Sequence, residues 1–264
     1  MEPKVKRSYD ASGRQEQARQ NRRRIVDAAA ALFSDRGYAS VPLTEVAAAA
    51  GVSVQTAYAA FGTKANLLKH AIDIALAGDD EPVPVMQRDS AQRMLAEPDP
   101  FLVLAMYAAR VRDVTERAGG LLLAAWTAAP NDPAVAELVA DLDGQRLRGM
   151  TALAQSIANK ARSAGCLADG VTEEDIRDTL WVFNSPQVSG LLMRQREWSP
   201  DRFQAWLTRA WTKLLLDPPG RKAALGQPRH VDDPRQFQEF SGGRNATTVD
   251  QEPNAEPQEC CPKP

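Results

Sequence analysis

The sequence predicts an all-α protein, with very short helices near the N-terminal end and longer ones after them. Three observations carry that prediction. Apolar residues recur at spacings of three and four between Ile25 and Leu215, the period of a helix with one buried face. Capping signals stand just ahead of those runs at Thr63-Lys64, Asp132-Pro133, Thr172 with Asp175, and Ser199-Pro200. No segment alternates apolar and polar residues as a half-buried strand does.

In chain order, Ile25, Ala29, Leu32 and Phe33 mark the inner face of a first helix ending near Gly37, a residue suited to a left-handed helix end. Leu43–Ala50 and Ser53–Ala60 follow as two very short helices separated by Gly51. Val41-Pro42 leaves the first of them without a capping side chain. Thr63 caps the next helix, which carries Leu67, Leu68, Ala71, Ile72 and Ala75 on its apolar side. Beyond Gly78, Pro82 and Pro84, helices are predicted over Ser90–Ala96, Pro100–Arg117 and Gly120–Ala129. Asp132-Pro133 opens a long helix with Val135, Leu138, Val139, Leu142, Met150, Leu153 and Ile157 inward, closed by Gly165. Pro186 interrupts an apolar run and predicts a kink there.

Composition narrows the function. A chain of 264 residues with 44% hydrophobic and 25% charged residues reads as a soluble protein of one or two domains. Its net charge of −2 and pI of about 5.8 argue against a uniformly basic coat. The charge is uneven, however. Residues 1–25 sum to +5 and the rest to −7. Residues 1–18 are therefore expected to form a basic flexible arm, and the proline-rich stretch 218–264 a disordered tail. No run approaches the roughly 20 apolar residues of a membrane span, and the first residues lack the apolar core of a signal peptide. Three cysteines and two histidines suit a reducing cytoplasm and point to no metal site, no cofactor and no enzyme.

The two short helices around Gly51 describe a helix-turn-helix, whose second helix can enter a DNA major groove, although alanine-rich helices of this length also occur in any bundle. The residues are more specific than the spacing. Arg24-Ile25-Val26-Asp27-Ala28-Ala29, Leu32-Phe33, Gly37-Tyr38, Val46-Ala47, Ala50-Gly51-Val52-Ser53, Thr56, Tyr58, Phe61, Lys64 and Leu67-Leu68 form an ordered series over residues 19–79. That series resembles the DNA-binding domain of the TetR family of bacterial transcriptional regulators. The resemblance implies three N-terminal helices on DNA and, over residues 80–217, a helical domain for dimerisation and effector binding.

Carried onto this sequence, the resemblance implies that Ser53 caps the recognition helix and Gln55 and Thr56 face the groove. Tyr58, Lys64 and Thr44 would reach phosphate. Val54 or Thr56 would touch thymine methyls. Arg14, Arg19, Arg22 and Arg23 are expected to track phosphate or enter the minor groove. Val54, Ala59 and Ala60 stand where many relatives carry polar or basic residues, which leaves few side chains for bidentate base contacts.

Farther along, Leu191, Leu192, Phe203, Trp206, Leu207, Ala210, Trp211 and Leu214 cover more of their helices than one buried stripe needs. Such helices are either central to their own domain or shared between subunits, and the family favours a homodimer. Met106, Tyr107, Trp126, Trp181 and Phe183 can line a pocket or pack a core, with Arg110 as an anion partner in the first case. A pocket of that kind would suit a small lipophilic effector. The expected function is a dimeric regulator on a palindromic double-stranded operator, a repressor released by a small molecule. The alternative is a protein of this fold working through protein contacts, with weak or lost specific DNA binding.

Overall fold

The computed structural model describes residues 11–78 and 89–217. Residues 1–10, the linker prolines Pro82 and Pro84, and the expected disordered tail from Pro218 lie outside the described residues. Among the described residues ten α-helices follow one another: α1 (Ala11–Arg36), α2 (Leu43–Ala49), α3 (Val54–Phe61), α4 (Lys64–Ala77), α5 (Asp89–Ala96), α6 (Pro100–Ala128), α7 (Pro133–Ser163), α8 (Glu173–Phe183), α9 (Pro186–Ser189) and α10 (Pro200–Leu215). Among the described residues there is no strand, only one antiparallel bridge between Leu167 and Leu216 that ties the α7–α8 loop to the end of α10.

The caps expected from sequence form. Thr63 accepts from the Asn66 amide, Asp132 from those of Ala134 and Val135, and Ser199 from that of Arg202. Thr172 and Asp175 complete a reciprocal capping box. Each satisfies amides that have no partner within their own helix. At α2 the cap position is Pro42, with no side-chain hydrogen bond.

Three local expectations are corrected. Residues 11–18, expected as flexible arm, are the first turns of α1. They are rich in good helix formers, and Glu16 accepts from both Arg19 and Gln20 one turn on. Second, the two helices predicted either side of Gly119-Gly120 are one helix of 29 residues. A Cβ on Gly120 would lie 2.7 Å from Ser34 Cβ. The glycine is there to let α1 cross α6 closely, and helical backbone continues through it. Third, Pro186 ends the apolar run instead of kinking it. Because α8 has already stopped at Phe183, Ser185 caps a new helix with Pro186 at its first position, and a π turn follows over Gly190–Gln195.

Two buried clusters hold these helices. The first joins Ile25, Ala29 and Phe33 of α1, Val46 of α2, Phe61 of α3 and Leu67, Leu68 and Ile72 of α4 to Leu121 and Ala125 of α6 and Val135 and Leu138 of α7. The second gathers Leu104 and Tyr107 of α6, Leu153 and Ile157 of α7, Ile176 and Leu180 of α8, and Phe203, Leu207 and Trp211 of α10. Burying a side chain of this size stabilises by roughly 1.5–3 kcal/mol. The first half of α6 thus serves one core and its second half the other. The first core also runs across the linker that separates residues 19–79 from the rest.

Gly149 lies at an exposed position inside α7 with nothing within 4 Å of where a Cβ would stand. Gly149→Ala is expected to raise stability by about 0.5–1 kcal/mol, because alanine loses less backbone freedom on folding. A higher urea midpoint at unchanged slope would show it, and a lower midpoint would contradict this account of the site.

Candidate nucleic-acid interface

α2 and α3 pack against α1 through Val46, Ala47, Ala57 and Phe61, all buried. Between them Gly51 takes a φ of 66°, a left-handed conformation at which glycine carries no steric cost. Arg36 at the end of α1 forms an ion pair with Glu45 of α2, and the Ser40 hydroxyl donates to the Arg36 carbonyl at 2.6 Å. These contacts tie α2 and the loop before it to the end of α1.

Ser53 is the N-cap of α3. Its hydroxyl accepts from the Thr56 amide at 3.1 Å and lies 2.8 Å from the Thr56 hydroxyl. Thr56 is therefore half-buried and tied to the cap, while Gln55 and Tyr58 point outward, Tyr58 with 53% of its surface exposed. Thr44 is exposed on the first turn of α2, and Val54 is half-buried against the head core. Ser53, Gln55 and Tyr58 thus offer hydroxyl and amide groups from the exposed side of α3. Such groups suit phosphate oxygens, and the amide of Gln55 also suits a base edge.

The basic residues divide. Arg14, Arg19 and Arg23 are exposed along α1. Arg22 is exposed as well, but it is also engaged with α3. Its guanidinium stacks over the Phe61 ring at 4.6 Å and donates to the Ala60 carbonyl. It closes the C-terminal end of α3, where backbone carbonyls lack helical partners. Lys64 is half-buried, its ammonium 4.1 Å from the Tyr38 ring centre. Loss of water there holds its pKa below the usual lysine value, while the charge of Asp132 opposes the shift. Asp132 in turn accepts from the Tyr38 hydroxyl at 3.1 Å, so the start of α4 and the cap of α7 meet through one tyrosine. Arg24 was not among the sequence candidates, yet one of its nitrogens would be 3.6 Å from a Cβ on Gly51. This puts a guanidinium beside the helix-turn-helix turn. Its charge was visible in the sequence, but its approach to the turn depends on how α1 crosses α2.

His70 of α4 lies edge-on to Phe61, with ring centres 5.5 Å apart. Burial, followed by the nearby charge of Arg22, lowers its pKa from 6.5. The folded chain therefore prefers the neutral ring, and the unfolded chain takes up a proton first as pH falls below 6.5. The contribution is complete above that value and is lost as pH drops toward the lowered one. His70→Phe keeps an aromatic ring against Phe61 and cannot titrate. The fall in melting temperature between pH 7.5 and pH 5.5 is expected to be smaller in this variant, and an equal fall would rule His70 out as the cause.

The residues expected to line an effector pocket are divided between the two cores. Trp126 packs on the first core and the others on or beside the second. Tyr107 is buried, its hydroxyl accepting from Asn184 at 2.8 Å, and burial pushes its phenol pKa well up. Trp181 lies under the Arg146 guanidinium at 3.6 Å, and Phe183 stacks on Trp206 at 5.1 Å. Met106 and Arg110 share a cavity at the junction of α4, α5 and α6. Among the expected dimer residues, Phe203, Leu207 and Trp211 are fully buried in their own core, leaving no surface for a partner. Leu191 and Leu214 are each 51% exposed, and Leu192, Trp206 and Ala210 are half-buried. Among the described residues, no helix is long and apolar enough to cross a membrane.

Comparison with known proteins agrees with the N-terminal architecture. The model of the bacterial regulatory proteins, tetR family, matches residues 25–71, from the middle of α1 to the middle of α4. None of the curated proteins matches the chain. Among solved structures, NalD of Pseudomonas aeruginosa, the secondary repressor of the MexAB-OprM multidrug efflux pump, is similar with a TM-score of 0.58 at 18% identity, over 77% of this chain and 100% of that one. The fatty acid degradation regulator FadR of Bacillus halodurans gives 0.53 at 15% identity, over 72% and 94%. Residues 25–71 of this chain thus match the model of the tetR family of bacterial regulatory proteins, and its described helices are similar in fold to these solved transcriptional regulators.

Proposed function

We propose that the chain is a sequence-specific DNA-binding transcriptional regulator, working as a homodimer that represses until a small molecule releases it. The observation that carries this reading is α3 itself, capped by Ser53, braced by Arg22 and presenting Gln55 and Tyr58 outward within the family-matched segment. Arg14, Arg19, Arg23 and Arg24 add positive charge along the exposed side of α1. Residues 19–79 are read as the DNA-binding part and residues 80–217 as the part for dimerisation and effector binding. Exposed Val182, Leu191 and Leu214, with half-buried Trp206 and Ala210, supply apolar surface for a two-fold contact. Two recognition helices would then sit roughly 34–36 Å apart on one face of the duplex. Repression is the direction favoured because NalD, which shares the fold, is a repressor. A regulator of this kind works in the cytoplasm.

One observation favours a second reading. The exposed side of α3 includes Ala59 and carries no lysine or arginine, and each bidentate base contact it lacks forgoes about 1–3 kcal/mol of discrimination. A protein acting through protein contacts would tolerate such a helix. Selection from a random duplex pool at about 0.15 M salt separates the two. Retained sequences sharing a palindrome support the regulator. Retention without a shared sequence, or none, supports the second reading.

A further inference from the structure

Asp132 serves two parts of the chain. As the cap of α7, its Oδ1 accepts from the amides of Ala134 and Val135 at 3.0 and 3.3 Å, while its Oδ2 accepts from the Tyr38 hydroxyl at 3.1 Å. Two amides and a hydroxyl thus fix the place of one negative charge. Tyr38 is buried against Phe33 of α1. Its ring is also the platform on which the Lys64 ammonium rests, 4.1 Å from the ring centre and 5.9 Å from that of Phe33. Phe33, Tyr38, Lys64 and Asp132 all line one cavity of about 780 Å³ between the end of α1, the start of α4 and the second half of α6.

Lys64 is the first residue of α4, and the positive end of a helix dipole does not favour a cation. What favours the ammonium in this place is the negative face of the Tyr38 ring and the charge of Asp132. Half-burial strips the ammonium of some water and lowers its pKa, whereas Asp132 acts in the opposite direction. The family resemblance implies a phosphate contact for Lys64. In this structure its ammonium is turned back onto Tyr38. A phosphate must draw it from there, and Asp132 opposes that move because separating unlike charges costs Coulomb energy.

We propose that Asp132 is a positioning residue for Lys64: it keeps the ammonium on the Tyr38 ring in the free chain and competes with DNA phosphate for it. The competition rests on the DNA-binding reading above, whereas the hold on Lys64 belongs to the free chain. A determinant of DNA affinity then lies in residues 80–217, outside the segment that the family model matches.

Asp132→Asn removes the charge and keeps both the cap and the acceptor, since asparagine caps helices as well as aspartate does. A lysine-selective NMR titration of the full chain without DNA tests the hold, with Lys64 assigned by its loss in Lys64→Gln. The Lys64 pKa should be lower in Asp132→Asn than in the unaltered chain, and an equal or higher value overturns the hold. Affinity for a mixed-sequence duplex at low salt, where phosphate contacts count most, tests the competition. Asp132→Asn should bind about two- to fivefold more tightly, the size of one partly exposed charge pair. In a Lys64→Gln background the gain should shrink to that given by Asp141→Asn, an exposed acid farther along α7 that reports the general field of the protein. Weaker binding by folded Asp132→Asn, or a gain of the same size with and without Lys64, overturns the competition. Absence of duplex binding by the unaltered chain overturns it together with the DNA-binding reading, and the titration still decides the hold.

Discussion

Phe33→Ala is expected to lower stability by about 3–5 kcal/mol, the usual cost of emptying a buried aromatic site. Phe33 has no exposed surface, and its ring lies 5.5 Å from that of Tyr38. It also belongs to the cluster where α1, α4, α6 and α7 meet. Total stabilities of about 5–15 kcal/mol make such a loss a large fraction. The urea midpoint should fall with little change in slope. DNA retention should fall with it, because α1 is the platform for α2 and α3. Phe33→Leu, which keeps most of the volume, should lose far less. A shift below about 1 kcal/mol for the alanine variant would mean that the head collapses onto the space and is not built around this ring.

Deleting residues 1–18 is the larger test of DNA binding. The deletion removes Lys4, Lys6, Arg7 and Arg14 but leaves α1 from Arg19 onward, including every α1 side chain in the first core. The slope of log affinity against log salt should flatten by about 0.9 for each phosphate contact removed, and affinity at low salt should fall most. An unchanged slope would mean that these cations touch no phosphate. Arg22→Gln should behave differently. It removes the clamp on the Ala60 carbonyl, so its first effect is on the stability of the head, readable in the absence of DNA.

What could be read from sequence and what could not follow a physical division. Caps at Thr63, Asp132, Thr172 and Ser199 depend on a side chain and an amide two or three residues away, so they are legible locally. Gly120 and Pro186 depend on what lies across from them. A glycine inside a helix reads as a weak point until Ser34 is known to sit 2.7 Å from its missing Cβ. A proline can bend a helix or start one, and Ser185 ahead of it decides for the second. The same division holds at the candidate site. Ser53, Gln55 and Tyr58 are placed by the period of a single helix, whereas Arg22, Arg24 and Lys64 are placed by how α1, α3 and α4 cross. For Phe203, Leu207 and Trp211, a wide apolar arc could not distinguish a core from an interface, and burial in their own core decides it.

The first core, shared by α1–α4 with the second half of α6 and the start of α7, bears on how such proteins can be recombined. Residues 11–78 include α1–α4 but only part of the core these helices rest on; Leu121, Ala125, Val135 and Leu138 supply the remainder from later in the chain. A chimera joined in the linker after Gly78 would set one protein's Phe33 and Leu68 against another's α6 and expose any mismatch there. The interchangeable part has a discontinuous outline. A working graft would carry its own residues at 121, 125, 135 and 138, and a small residue at 120, along with α1–α4.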